Sequence, residues 1–451
     1  MSEWKAKLSE TKKKLDQVSP TFCLAKWLQV TLHLQHGHTH SCHHPIKHKI
    51  PLEELQDNDS ALHNTLYKKI MRKEMLQGEA PRECRYCWAM EGSKEQFFSD
   101  RIVKSSDSWA IPYFDEVLQG TWDMDIIPRY LEVVFGSECN LACAYCAPDT
   151  SSRIFAEFQK YDAYPTSEPL YKMEDMKRFE RLPLPQNKNP YIDAFWRWFP
   201  EVYPKLKVLR ITGGEPLLNP NTFKLLKFIE DNPREDLEIS INSNACVEKS
   251  IFQKFVDQVK KLSSSKISFY VSVDTFGEQA EYIRYGLDYK LLMDHVRLYH
   301  REVGKPVTMM CAFNLLSIPS FTSLLKDVLN LKKEFGPYQT FIDISWVCHP
   351  MYFSPQLASQ DLIIKLEESL NFMLESAQAK VGEWGFIDYE MTKFQRLTDL
   401  VKSNRLSDLE LSKWRKDFIC FFEEYDRRKG VSLIKTFPEL VSFIEEIKRS
   451  V

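Results

Sequence analysis

The sequence predicts an α/β fold, a partial (β/α)6 TIM-like barrel, and three observations support this. Six short apolar runs are spaced along the middle of the chain, helical stretches separate most of them, and polar motifs directly follow several of them. Alternating strands and helices are typical of parallel βαβ units. We expect a barrel over residues 126–350, a Cys/His-rich region over 1–125, and a helical region over 351–451.

The predicted strands are short runs rich in β-branched residues. They cover residues 130–135, 208–212, 238–241, 268–273, 307–313 and 340–347. Residues 222–230 and 251–262 show a helical period between strands. The stretch 147–205 is long for one crossover and contains proline-rich segments, so we expect an insertion there.

The composition is that of a globular protein without an obvious charged partner. Hydrophobic residues make up 43% and charged residues 27%, with a formal net charge of −3. This balance predicts neither nucleic acid nor membrane as a partner. The opening residues lack the apolar core of a signal peptide, and no apolar run is long enough to cross a bilayer. We therefore expect a cytoplasmic location.

Three closely spaced cysteines follow the first predicted strand. In SECNLACAYC, the spacing C-x3-C-x2-C is formed by Cys139, Cys143 and Cys146. Cytoplasmic thiols stay reduced, so clustered cysteines are candidate metal ligands. Three thiolates suit a [4Fe-4S] cluster with one open iron, whereas a tetrahedral zinc site needs a fourth ligand. A zinc knuckle completed from elsewhere, or plain surface cysteines, are the alternatives.

A glycine-rich motif follows the second predicted strand. Thr212 leads into Gly213, Gly214, Glu215 and Pro216. Glycines let the backbone approach a ligand, and carbonyls and a carboxylate accept hydrogen bonds from an ammonium group. An ordinary turn after a strand is the alternative.

Polar side chains also mark the ends of the third and fourth predicted strands. These residues are Asn242, Ser243, Asn244, Ser272 and Asp274. Such side chains can bind ribose hydroxyls or cap a turn. Arg284 follows, and its guanidinium suits a carboxylate, although a surface ion pair with Glu281 or Asp288 is equally compatible. In (β/α) barrels, residues at the carboxyl ends of strands meet on one face.

Together these motifs resemble the radical S-adenosylmethionine (SAM) superfamily. The cysteine spacing with Tyr145 before the third cysteine resembles its cluster motif, and Gly213–Pro216 resembles the GGEP motif that holds the SAM amino group. In family members with a similar S-x-D segment, a strand serine and a downstream arginine contact SAM. The resemblance covers about residues 130–350. It implies SAM contacts from the strand-end residues above and from Arg284.

The resemblance also implies a reaction. A reduced [4Fe-4S] cluster cleaves SAM to a 5′-deoxyadenosyl radical, which abstracts hydrogen from a substrate. The implied partners are a peptide or small polar metabolite and a reducing protein such as flavodoxin or ferredoxin. The motifs identify no catalytic residue beyond the cofactor sites. The alternative is a zinc-stabilised, non-catalytic binding protein on a similar barrel.

Four further cysteines lie in the N-terminal region: Cys23, Cys42, Cys84 and Cys87. With Trp27, the segment MLQGEAPRECRYC and the tail segments YDRRKG and FPEL, they resemble the twitch-domain, SPASM-like subgroup. That subgroup implies an auxiliary [4Fe-4S] cluster here, which we favour; a structural zinc site on the four cysteines is the alternative. The stretch HLQHGHTHSCHHP departs from the subgroup's pattern.

Alternating histidines and isolated cysteines complete the candidates. On a strand, His36, His38 and His40 would share a face and could bind a metal or an anionic substrate. We favour a solvated hairpin instead. The isolated cysteines in apolar surroundings are expected to be buried structural thiols: Cys246, Cys311 and Cys420.

Overall fold

The computed structural model describes residues 3–92, 98–185, 188–262, 265–403 and 406–449. Packing divides the chain into two compact units. The first comprises Met1–Gly136, Leu182–Gly213 and Arg234–Ser240, and the second comprises Ser137–Arg181, Gly214–Pro233 and Ile241–Val451. This division interleaves distant segments, so it does not test the three consecutive regions, which stay a prediction.

All six predicted strands are present, with ends shifted by no more than two residues. The strands are β1 (Gln29–His33), β2 (His38–His40), β3 (His48–Lys49), β4 (Tyr130–Val134), β5 (Ala142–Cys143), β6 (Val208–Thr212), β7 (Glu238–Ser243), β8 (Lys266–Ser272), β9 (Arg284–Tyr285), β10 (Val307–Phe313) and β11 (Thr340–Trp346).

The helices of the first 250 residues include both short and long elements. They are α1 (Glu3–Asp16), α2 (Leu24–Leu28), α3 (Leu52–Asp57), α4 (Leu66–Leu76), α5 (Arg85–Glu91), α6 (Asp100–Ser105), α7 (Phe114–Gln119), α8 (Ser152–Tyr161), α9 (Met173–Arg178), α10 (Pro190–Val202), α11 (Pro220–Asp231) and α12 (Lys249–Lys260). The predicted insertion at 147–205 thus contains α8, α9 and α10.

The remaining helices follow β8. They are α13 (Gly277–Ile283), α14 (Tyr289–Val303), α15 (Phe321–Phe335), α16 (Gln360–Glu375), α17 (Gln378–Val381), α18 (Asp388–Lys402), α19 (Asp408–Lys429), α20 (Leu433–Thr436) and α21 (Val441–Arg449). The C-terminal region is helical, as its apolar periodicity predicts.

In the first unit, parallel strands are extended by an antiparallel edge. β1 pairs in parallel with β4, which pairs in parallel with β6. On its other side β1 pairs antiparallel with β2, and β2 with β3. The N-terminal region therefore contributes three strands that the sequence analysis missed. Two of them, β2 and β3, are only three and two residues long, too short to show a period.

In the second unit, β10 pairs in parallel with both β8 and β11. Side chains along β8 and β10 alternate between buried and half-buried positions, which is the period of a strand with one fully covered face. Helices α15 and α18 both contact β11, and α16 packs against both of these helices.

The predicted fold class is confirmed: the protein is α/β, with mostly parallel strands connected through helices. The described strands do not close into a barrel. Within the described ranges, every helix is too short or too polar to traverse a lipid bilayer.

Candidate functional site

The three clustered cysteines lie on one loop of the second unit. β5 ends at Cys143, and Cys146 closes a turn by donating its backbone N–H to the carbonyl of Cys143 at 3.1 Å. The backbone N–H of Cys139 donates to Ser152 Oγ at 3.2 Å, which ties the loop to the start of α8. The structure therefore brings together the three thiols that the spacing singled out.

Burial controls the protonation of these thiols. It raises the pKa of Cys139 to about 12 and raises that of Cys146 further, with added repulsion from Cys143 and Cys139. The pKa of Cys143 is also raised by burial, although Arg284 opposes the rise. Metal binding must displace these protons, so a metal at this loop would bind more weakly at low pH.

The glycine motif packs directly on the cysteine loop. A Cβ added to Gly214 would lie 2.4 Å from the carbonyl oxygen of Glu138 and 2.7 Å from that of Ser137. The next residue, Glu215, donates its backbone N–H to the same Glu138 oxygen at 2.6 Å. Only glycine allows this approach of two main chains.

The Glu215 carboxylate joins the glycine motif to the end of β7. Its Oε1 accepts from Ser243 Oγ at 2.8 Å and from the backbone of Leu217 at 3.0 Å, and its Oε2 accepts from the backbone of Asn244 at 2.7 Å. The side chain is 1% exposed, and burial raises its pKa to about 7, although these hydrogen bonds oppose the rise.

Asn140 is a site residue that the sequence analysis missed. Its Nδ2 donates to the carbonyl of Cys246 at 2.6 Å, and its Oδ1 accepts from Asn244 Nδ2 at 2.8 Å. Asn140 therefore links the cysteine loop to the residues after β7. The sequence signal for this role was its position between Cys139 and Cys143, because an amide side chain can both donate and accept hydrogen bonds.

Arg284 lies in a buried ion pair with Asp274. Its Nε and Nη2 donate to the two carboxylate oxygens at 3.0 and 2.9 Å, and both side chains are less than a tenth exposed. Tyr145 Oη also donates to Asp274, at 2.7 Å. The expected alternative of a surface ion pair is therefore wrong, while a contact from Arg284 to SAM stays a prediction.

The other predicted SAM contacts occupy the strand ends from which they were inferred. Asn242 lies in β7 and Ser272 ends β8, and both are half-buried. Gly213 follows β6, and Pro216 is buried at the start of a short 3₁₀ turn. Their ligand contacts stay predictions.

The four N-terminal cysteines converge on one pocket of the first unit. Cys23, Cys42, Cys84 and Cys87 all line a pocket of about 400 Å³. Cys23 caps the start of α2, and Cys84 that of α5, which places Cys87 in the first turn of α5. Three of the four thiols therefore come from the starts of two short helices.

Cations face this pocket. Lys26, Arg101 and Lys104 also line it, and Lys26 forms a buried ion pair with Glu83. Burial alone would lower the pKa of Lys26, but Cys84 and Glu83 outweigh it and raise the pKa. Burial raises the pKa of Cys84 and of Cys87 to about 12. Four thiols are the ligand number and type of an iron–sulfur cluster or of zinc.

Two of the three alternating histidines are buried. His36 is fully buried and His38 is 3% exposed, and their Nδ1 atoms lie 2.9 Å apart. Nε2 of His40 lies 3.0 Å from Nε2 of His33 across the β1–β2 pair. The expectation of a solvated hairpin is therefore wrong, because these rings pack against one another.

Two of the three isolated cysteines behave as predicted. Cys246 and Cys311 are buried. Cys420 is exposed on α19, so its prediction is wrong. The aromatic residues around it face the other side of the helix: Phe418, Phe421 and Phe422 are buried.

Comparison with known proteins identifies a radical SAM domain in the middle of the chain. A model of the radical SAM superfamily matches residues 133–322, the segment that carries the cysteine loop, the glycine motif and Arg284. The chain therefore carries a radical SAM domain, which together with its curated relatives indicates a radical SAM enzyme. Such enzymes use a [4Fe-4S] cluster and SAM, and the three-thiol loop with its packed glycine motif fits both groups.

The similar curated proteins are GTP 3′,8-cyclases. That of Sulfurimonas denitrificans is 24% identical over 278 residues, 61% of this chain and 71% of its own. That of Syntrophomonas wolfei is 22% identical over 245 residues, 53% of this chain and 63% of its own. A match to the Nautilia profundicola enzyme spans 28% of this chain and 31% of that protein at 27% identity. The chain thus matches from a third to under three quarters of these relatives.

Among solved structures, Streptococcus suis SuiB bound to its precursor peptide SuiA aligns with 75% of this chain and 66% of its own. The identity is 14% and the TM-score is 0.37. This distant likeness carries no functional information.

Proposed function

We propose that this protein reductively cleaves SAM and uses the product to abstract hydrogen from a peptide or a small polar metabolite. The observation that carries the proposal is the packing of Gly214 and Glu215 on the cysteine loop. In this arrangement, the motif proposed to bind SAM lies beside the three thiols proposed to hold the cluster.

In this proposal, Cys139, Cys143 and Cys146 hold a [4Fe-4S] cluster with one open iron. Gly213, Gly214, Glu215 and Pro216 receive the amino group of SAM. Four strand-end residues and Arg284 receive its ribose and carboxylate: Asn242, Ser243, Asn244, Ser272 and Arg284. Asp274, whose two oxygens already accept four hydrogen bonds, orients Arg284. When bound, the two cofactors supply reductive cleavage of the SAM carbon–sulfur bond and hydrogen abstraction from the substrate.

The chain's own residues orient these groups. Glu215 is held by three hydrogen bonds, so its carboxylate has one fixed orientation in the proposed SAM site. Burial raises the pKa of this carboxyl group, whereas the three hydrogen bonds oppose the rise and favour the charged form. Asn140 keeps the cysteine loop against the end of β7, which preserves the distance between cluster and ligand sites.

An auxiliary [4Fe-4S] cluster on Cys23, Cys42, Cys84 and Cys87 is the second part of the proposal, as in twitch-domain enzymes. The support is the convergence of four thiols on one pocket that is also lined by cations. Lys26 and Arg101 would offset the negative charge of four thiolates. Zinc on the same four sulfurs is the competing ligand.

The substrate and partners follow from this chemistry. The relatives named GTP 3′,8-cyclase favour a small polar substrate over a peptide. A flavodoxin or ferredoxin would supply the electron, and a cytoplasmic location would keep the cluster reduced. A zinc-stabilised protein without SAM chemistry is the second candidate function, since zinc can also occupy four thiolates.

Anaerobic turnover tests the proposal. Reconstituted protein with dithionite and SAM should release 5′-deoxyadenosine, and Cys143→Ala should abolish that release because one cluster ligand is lost. Cys420→Ala removes an exposed cysteine outside the motif and serves as the matched control. Undiminished product from Cys143→Ala would exclude the proposed cluster site.

A further inference from the structure

A two-stranded ladder places Arg284 directly opposite a cysteine of the loop. β5 pairs antiparallel with β9, and the register sets Cys143 against Arg284. The backbone N–H of Ala144 adds a bond to the carbonyl of Ile283 at 2.8 Å. The relation between these two side chains is therefore fixed by main-chain pairing rather than by flexible side-chain packing.

Asp274 is saturated and holds the guanidinium in one orientation. Its Oδ1 accepts from Arg284 Nη2 and from the backbone of Ala312, at 2.9 and 3.2 Å. Its Oδ2 accepts from Arg284 Nε and from Tyr145 Oη, at 3.0 and 2.7 Å. Four donors occupy the two oxygens, so Asp274 serves as an anchor for Arg284.

The remaining nitrogen of the guanidinium is directed at sulfur. Arg284 Nη1 donates to Cys143 Sγ, 3.8 Å away, while the guanidinium lies 5.7 Å from the centre of the Tyr145 ring. Cys143 and Arg284 are both buried, so water screens this interaction weakly. The fork of an arginine can bind a carboxylate with one edge and a thiolate with its other nitrogen.

We propose that Arg284 is a positioning residue that donates a hydrogen bond to the Cys143 thiolate and thereby makes the cluster easier to reduce. This inference rests on the proposed function, because it assumes that Cys143 is a cluster ligand. Hydrogen bonds to cluster sulfurs and nearby charge set the reduction potential. The added electron increases the negative charge on the ligand sulfurs, so a donor stabilises the reduced form more than the oxidised form.

Asp274 has the opposite effect on the same equilibrium. Its carboxylate offsets the guanidinium charge beside Cys143, since the two form a bidentate pair. Removing the carboxylate charge should favour the reduced cluster, whereas removing the guanidinium should disfavour it. Two substitutions in one ion pair therefore predict shifts of opposite sign, which a general loss of packing does not produce.

The test is a titration of the reconstituted full chain with dithionite, without SAM, followed by electron paramagnetic resonance. Dithionite supplies the one electron that the cluster takes up. At a fixed potential, Arg284→Gln should lower the ratio of reduced to oxidised cluster about tenfold, equivalent to about 59 mV for a one-electron couple. Asp274→Asn should raise the ratio. Arg284→Lys, which keeps the charge but not the fork, should give an intermediate value.

Tyr145→Phe is the matched control, because it removes a donor to Asp274 but leaves the bond to Cys143. Its ratio should stay within threefold of wild type. Omitting SAM distinguishes the hydrogen bond to Cys143 from a contact between Arg284 and SAM. If Arg284 acted only through SAM, its substitution would leave the ratio of reduced to oxidised cluster unchanged when SAM is absent. Iron content and circular dichroism establish that each variant is loaded and folded, and Asp274→Asn keeps the test decisive if Arg284→Gln does not fold.

Unchanged ratios in both Arg284 variants, or shifts of the same sign in Arg284→Gln and Asp274→Asn, would overturn the inference. A wild-type protein that binds no [4Fe-4S] cluster would instead overturn the proposed function. The two failures are therefore distinguishable.

Discussion

Gly214→Ala tests whether main-chain packing builds the SAM site. The new Cβ would lie 2.4 Å from the carbonyl oxygen of Glu138, while ordinary contact begins at 3.4 Å. The two segments must separate by the difference, about 1 Å, because both sides of the contact are backbone and no side chain can rotate away. That shift also breaks the 2.6 Å bond from the Glu215 N–H to the same oxygen.

The expected effect on stability follows from these contacts. Overpacking costs about 1–3 kcal/mol and one lost hydrogen bond about 1 kcal/mol, so the free energy of unfolding should fall by about 2–4 kcal/mol. Urea unfolding of the cluster-free protein measures this change. In the reconstituted protein, a shift of about 1 Å misplaces the SAM-binding groups, so the dissociation constant for SAM should rise at least about tenfold. Equilibrium dialysis measures this constant.

Gly304→Ala is the matched control. Gly304 has φ +65° at the end of α14, and a Cβ added there would meet no atom within 4 Å, so alanine should cost about 1–2 kcal/mol through backbone strain alone. SAM affinity should not change in this variant. If Gly214→Ala unfolds within about 0.5 kcal/mol of wild type and binds SAM equally well, the inferred packing role of Gly214 is refuted.

Two further predictions concern the metal content and the buried carboxyl group. Fully reconstituted wild type should contain about eight irons and Cys84→Ala/Cys87→Ala about four, since each [4Fe-4S] cluster holds four. The control is Cys348→Ala/Cys420→Ala, which removes two exposed cysteines. Zinc together with only about four irons in wild type would disprove the auxiliary cluster. The pKa of Glu215 is raised by burial from 4.5 to about 7, so the folded state holds a proton that the unfolded state releases. In unfolding experiments, the free energy of unfolding of wild type should therefore fall relative to that of Glu215→Gln as pH rises from about 4.5 to 7. The fall should reach up to about 3 kcal/mol, because each pKa unit corresponds to about 1.4 kcal/mol. A pH-independent difference between the two proteins would contradict the assigned burial.

The sequence by itself determined the elements whose signal is local. Strand periodicity located all six predicted strands, and residue spacing singled out Cys139, Cys143 and Cys146. Residues that lie a few positions apart on one loop stay close in space after folding, so the spacing of these three cysteines was sufficient to group them. The glycine motif likewise singled out Gly214 from the sequence. The structure explains why this position requires glycine, because a Cβ would clash with the carbonyl oxygen of Glu138.

Only the tertiary structure decided which distant residues meet. The ladder of β5 and β9 has two residues on each side, too few to show a period, yet its register sets Arg284 against Cys143. Likewise, the burial of His36 and His38 depends on the pairing of β1 with β2 and on contacts between imidazole rings. Such features arise from pairing between segments that are far apart in the chain. A single sequence records the composition of each segment but not its partner, and so their arrangement appears only once the chain is folded.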